Sequence, residues 1–73
     1  MMGKRIRQLR MERGLSLSSL ARQANIAKSY LSAIERGIQA NPSIHIMERI
    51  SFALEVPIQT LIENGTNVQK SGD

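Results

Sequence analysis

The sequence contains no cysteine and no tryptophan, and its 73 residues include one phenylalanine, one tyrosine and one histidine. Without cysteine, neither a disulfide nor a thiolate metal site can form. His45 is the single imidazole and cannot build a metal site by itself. The sequence also lacks a paired-carboxylate cleft, a Ser/His/Asp set and a glycine-rich phosphate loop. We therefore expect no metal, no cofactor and no enzymatic activity.

Long apolar runs are also missing. No stretch approaches the roughly 18–20 residues needed to span a bilayer, and none has the form of a signal-peptide core. A cytoplasmic protein is the expectation. A chain of this length forms one domain with a modest core.

Acidic residues are scarce in the first half of the chain. Residues 1–40 hold eight lysines and arginines against two glutamates, whereas residues 41–73 hold two basic and four acidic side chains. A basic half on a small domain favours a polyanionic partner such as nucleic acid. The alternative at this point is a solvated basic surface without a partner.

The spacing of apolar residues predicts an all-α protein with five helices, since no segment alternates as a strand does. The predicted helices cover residues 2–13, 17–24 and about 27–36, then a fourth that ends near Leu54, and a fifth at 57–62. Apolar positions of the fourth helix are spaced 3, 3 and 4 apart, at Ile44, Met47, Ile50 and Leu54.

Capping residues mark the predicted ends. Gly14 and Gly37 suit helix C-termini, and Ser16 suits an N-cap. The fourth helix begins at Asn41-Pro42-Ser43, with Asn41 or Ser43 as the cap and Pro42 at an early helical position. Asn64-Gly65 is expected to end the fifth helix, which leaves residues 65–73 as a flexible polar tail after a domain of residues 1–64.

The second and third helices are separated only by Asn25 and Ile26, too short a link for an ordinary antiparallel hairpin. Two short helices joined by a tight turn form a helix-turn-helix unit. Ala21 supplies a small side chain where the helices cross, and Asn25 tolerates a left-handed backbone. Leu31 and Ile34 have the spacing needed to hold the third helix on the core.

Four stretches resemble the lambda-repressor-like, or Xre-type, helix-turn-helix domains of bacterial and phage repressors. They are GKRIRQLRMERGLSLSSLA, KSYLSAIERG, NPSI and LEVPIQTLIEN. Within that family they look closest to the DNA-binding domain of a biofilm repressor of bacilli. The resemblance covers about residues 1–64 and implies a five-helix DNA-binding domain, with the helix-turn-helix at about 17–36. It also implies a sequence-specific transcriptional repressor, located at the nucleoid of a bacterium.

The resemblance implies that the third helix lies in the major groove of double-stranded DNA. The helical wheel agrees, because Leu31 and Ile34 define an inner face and leave polar residues opposite. Lysine, arginine and serine can hydrogen-bond to base edges, and tyrosine can contact a thymine methyl or a phosphate. The candidates for base contacts are Lys28, Ser29, Tyr30, Ser32 and Arg36.

Phosphate contacts are expected from helix N-termini and short polar side chains. The candidates are Ser16, Ser18, Gln39 and Asn41, any of which could instead serve only as a cap. Leu17 stands where many phage repressors carry a phosphate-binding glutamine, so that contact is expected to be missing. The basic side chains of Lys4, Arg5 and Arg7 either attract DNA at long range or form a solvated face.

In the family, residues at the positions of Arg10 and Glu35 form a partly buried salt bridge between the first and third helices. We expect this pair to be structural, because both residues lie at the edges of the inner faces of their helices.

Three partner hypotheses follow. The preferred partner is an operator with repeated or palindromic half-sites, together with an antagonist protein that binds a C-terminal region absent from this chain. A restriction–modification controller protein and an antitoxin-type interaction protein are the alternatives.

Overall fold

The computed structural model describes residues 2–39 and 41–66, which form five α-helices in chain order. The helices are α1 (Met2–Glu12), α2 (Leu17–Ala24), α3 (Lys28–Glu35), α4 (Ile44–Leu54) and α5 (Ile58–Thr66). The described part of the chain contains no strand. The predicted all-α, five-helix architecture is confirmed.

The predicted caps of α2 and α4 are present. The Oγ atoms of Ser16 and Ser43 accept hydrogen bonds from the backbone N–H groups of the third residue onward, at 3.0 and 3.2 Å. Each satisfies one of the N–H groups that a helix start leaves without a partner. Since Ser43 is the cap, Pro42 precedes α4 and is buried there, and the predicted early helical position was wrong.

The end of α5 differs from the prediction. The helix continues through Gly65 to Thr66, because a glycine weakens a helix by about 1 kcal/mol relative to alanine without forbidding it. Residues 65 and 66 are therefore helical, and the rest of the predicted tail, residues 67–73, lies outside the described residues.

The core is aliphatic and lies where α2 packs against α3 and α4, with α1 and α5 closing it from the side. Its fully buried large side chains are Ile6, Leu20, Leu31, Ile34, Ile50, Leu54 and Leu61. Five helices contribute to this set, so no pair of helices alone holds a complete core.

The inner face of α4 is rotated from the predicted one. Ile44 is 50% exposed, and Met47 is half-buried but not packed against the core, while Ile46 does pack there. Ile46, Ile50 and Ala53 are also spaced 4 and 3 apart, so periodicity allowed either stripe. Packing against α2 selects the second one.

Candidate DNA interface

The turn between α2 and α3 has the geometry of a helix-turn-helix. Asn25 adopts the left-handed conformation, with φ 59° and ψ 47°. The N–H of Ile26 donates to the carbonyl of Ala21 at 3.0 Å, which ends α2 in a capped turn. Ala21 is 3% exposed between the helices, as its small size requires. Asparagine does here what glycine usually does, since it tolerates this backbone better than other residues.

The third helix is held by its apolar side and presents its polar side outward. Leu31 is fully buried and Ile34 is 2% exposed. Of the five candidates for base contacts, Lys28, Ser29 and Arg36 are exposed and Ser32 is half-buried. Tyr30 differs from them, because it is half-buried and packs against the core. The structure therefore places four of the five on an accessible surface and Tyr30 at its inner edge.

The four candidates for phosphate contacts differ in their accessibility. The Ser16 hydroxyl accepts from the N–H of Ser19 and donates to the Ser19 hydroxyl, both at 3.0 Å, so capping already uses it. Ser18 and Asn41 are exposed, whereas Gln39 is half-buried. The backbone N–H of Gln39 donates to the carbonyl of Ala33 at 3.0 Å, which ties the loop to α3.

Arg10 and Glu35 form a bidentate ion pair between α1 and α3. Nε and Nη2 of Arg10 donate to the two carboxylate oxygens of Glu35 at 2.7 and 2.9 Å, and Nη1 donates to the carbonyl of Leu15 at 3.0 Å. The two side chains are only 13% and 6% exposed. The hydrogen bond from Glu35 raises the pKa of Arg10 above its ordinary value, against a smaller opposing effect of burial, so the guanidinium stays charged.

The three basic residues near the start of α1 do not act as a group. Nε of Arg5 donates to the carbonyl of Thr60 at 3.3 Å, so this half-buried side chain joins α1 to α5. Lys4 and Arg7 are exposed, and no described carboxylate lies within ion-pair distance of either. Of the two hypotheses for these residues, only Lys4 and Arg7 are available to attract DNA.

Sequence reasoning missed Gly3. This residue is buried on α1, and a Cβ built on it would clash with the carbonyl oxygens of Ile34 and Glu35. A glycine inside the first turn of a helix was the available signal, because glycine disfavours helix unless a close approach requires it.

Two further classes of site were sought in the described residues. No group of three His, Asp or Glu side chains is placed to hold a metal ion there. Of the same residues, no helix is long and apolar enough to cross a membrane.

A tight two-helix turn, with an aliphatic anchor behind a polar outer face, defines the helix-turn-helix class of domain. Residues 6–61 match the HTH_3 family, described as helix-turn-helix, and the chain belongs to that family.

The comparisons with individual proteins agree with the resemblance inferred from the sequence. The chain is 49% identical over 72 residues to the HTH-type transcriptional regulator SinR of Bacillus subtilis (strain 168). That alignment covers 99% of this chain and 65% of the relative, so the chain spans about two thirds of the length of that regulator. The relative is a transcriptional regulator and not an enzyme.

Two solved structures are similar to this one. The crystal structure of SinR, the master regulator for biofilm formation, in complex with DNA has a TM-score of 0.83 and 55% identity. The match covers 85% of this chain and 98% of that chain. A SinR–SinI protein complex has a TM-score of 0.85 and 49% identity, covering 97% of this chain and 69% of that chain. The predicted similarity to the DNA-binding domain of SinR is confirmed.

Proposed function

We propose that this chain is the DNA-binding part of a SinR-like transcriptional repressor that acts in the bacterial cytoplasm. One observation carries the proposal. The exposed face of α3 offers Lys28, Ser29 and Arg36 to solvent, while Leu31 and Ile34 hold the helix on the core. A major groove about 12 Å wide admits such a helix. The similarity to SinR in complex with DNA supports the same mode of binding.

Base reading is assigned to the outer face of α3. Lys28 and Arg36 have donors suited to O6 and N7 of guanine, and Ser29 and Ser32 can donate or accept. Tyr30 packs against the core, so only the edge of its ring is left for a thymine methyl or a phosphate. Ser18 and Asn41 are the accessible phosphate contacts, with Gln39 beside them, and Ser16 contributes through the helix start that it caps.

The working unit on DNA is proposed to be two copies on repeated or palindromic half-sites. One recognition helix reads too few base pairs to select an operator among the roughly 10⁶ or more sites of a genome. A protein antagonist is proposed to bind outside this chain, since the SinR–SinI complex contains a longer regulator chain. We expect this 73-residue chain to sediment as a monomer without DNA.

The test is a binding titration against a duplex selected by the protein from a random pool, with a scrambled duplex as control. We expect specific binding that falls steeply with salt, since each neutralised phosphate of B-DNA contributes about 0.9 to the slope of log K against log salt. Lys28→Ala and Arg36→Ala should each reduce discrimination between the duplexes by roughly 1–3 kcal/mol.

Three results would contradict the proposal. One is the failure of selection to enrich any sequence. Another is equal loss by both variants on both duplexes, which would remove α3 from base reading. The third is a tight dimer without DNA in sedimentation equilibrium, which would favour the controller-protein alternative.

A further inference from the structure

A groove of about 510 Å³ lies between α1 and α3, and it is lined mostly by basic side chains. Lys4 and Arg7 form one wall on α1, and Ser32 and Arg36 form the other on α3. Leu17, the first residue of α2, lies at its edge. The groove therefore borders the face of α3 that is proposed to read bases.

The charge in the groove is not balanced by the residues that line it. Its one carboxylate belongs to Glu35, and both oxygens of that group already accept from Arg10. Lys4, Arg7 and Arg36 are exposed, and no described carboxylate pairs with any of them. Three cations without partners around one concave surface create a field that attracts an anion.

The two walls are held rigidly together. Gly3 packs against the last carbonyls of α3, and the buried pair of Arg10 and Glu35 joins the same two helices one turn further along. Lys4 and Arg7 lie three residues apart on one face of α1, so they act at one place. Any DNA contact made by α3 brings this wall of α1 to a fixed position beside the duplex.

We propose that this groove binds a backbone phosphate of the DNA, with Lys4 and Arg7 as its ligands on α1. The inference rests on the proposed function and extends it, since it adds α1 to the DNA interface. Arg5 is excluded from this site because its Nε is directed to the carbonyl of Thr60.

The experiment compares two double variants that remove the same charge. Lys4→Gln/Arg7→Gln removes the wall of the groove, and Arg22→Gln/Arg49→Gln removes two exposed cations that do not line it. The slope of log K against log salt is measured on the selected duplex and on the scrambled one. We expect the first variant to lose about 0.9 for each phosphate released, on both duplexes, and the control to lose much less. Both should melt like the parent, because all four side chains are exposed.

A second measurement locates the contact. Uncharged methylphosphonates are placed one at a time along the selected duplex. Neutralising one particular phosphate should weaken the parent and have no further effect on Lys4→Gln/Arg7→Gln. Equal slopes for the two double variants, or additive losses at every phosphate, would reduce Lys4 and Arg7 to long-range attraction and overturn the inference. The proposed function would survive that result, whereas a parent that selects no DNA sequence would overturn both.

Discussion

Gly3 and Glu35 lie so close together that a Cβ built on Gly3 would stand 2.9 Å from the carbonyl oxygen of Glu35. The neighbouring atoms belong to the backbone of α3, so they cannot move aside as the end of a flexible side chain can. This contact sets how closely α1 approaches the end of the recognition helix. Glycine supplies the space because it has no side chain.

We expect Gly3→Ala to lower the free energy of unfolding by about 1–3 kcal/mol, the usual cost of overpacking a filled interior. Alanine is the better helix former by about 1 kcal/mol, so a net loss would show that the clash dominates. The measurement is urea unfolding, with Gln8→Ala on the exposed side of α1 as the control. A Gly3→Ala protein as stable as the parent would mean that α1 can move away from α3.

The ion pair of Arg10 and Glu35 should matter more for folding than any charge on the outer face of α3. Glu35→Ala leaves a guanidinium that is 13% exposed without its carboxylate, and breaking such a pair costs about 3–5 kcal/mol. We expect a fall in melting temperature well beyond that of Lys28→Ala, measured by circular dichroism.

Arg13→Ala is the matched control for that variant. It breaks the pair of Arg13 and Glu55, whose side chains are 40% and 71% exposed, and such pairs contribute at most about 1 kcal/mol. If Glu35→Ala melts like the parent but binds DNA poorly, Glu35 belongs to the contact surface and the structural role is wrong.

Phe52, the one phenylalanine, should contribute almost nothing to stability. It is 84% exposed on α4, whereas Leu54 two residues later is fully buried. We expect Phe52→Ala to change the unfolding free energy by less than about 0.5 kcal/mol and Leu54→Ala to lower it by about 2–5 kcal/mol. Chemical denaturation of both variants measures the difference. A large loss for Phe52→Ala would contradict the rotation of α4 described above.

Two side chains occupy left-handed backbone positions, Asn25 with φ 59° and Glu55 with φ 61°. A residue other than glycine or asparagine is strained there by about 1–2 kcal/mol. Glu55→Gly should therefore stabilise the protein by about 0.5–1 kcal/mol after the added entropy of the unfolded chain is subtracted. Asn25→Gly should gain less, and Glu55→Ala, which keeps a Cβ, should gain nothing. Equal gains for Asn25→Gly and Glu55→Gly in thermal unfolding would refute this explanation.

Local chemistry in the sequence was sufficient for the class of fold and for most helix ends. Ser16, Ser43 and Gly14 act on backbone groups one turn away, so their roles can be predicted without knowing what packs on the helix. The helix-turn-helix was equally predictable, because the short link at Asn25 leaves few arrangements of α2 and α3. The polar outer face of α3 followed from the spacing of Leu31 and Ile34.

Contacts between distant parts of the chain decided the rest. The inner face of α4 depends on α2, since periodicity fitted the stripe of Ile44 as well as that of Ile46. Arg5 was indistinguishable from Lys4 and Arg7 until α5 placed the carbonyl of Thr60 beside it. The groove between α1 and α3 exists only because Gly3 allows the two helices to touch. Sequence spacing determines what one helix offers, and tertiary packing determines which of those groups remain accessible.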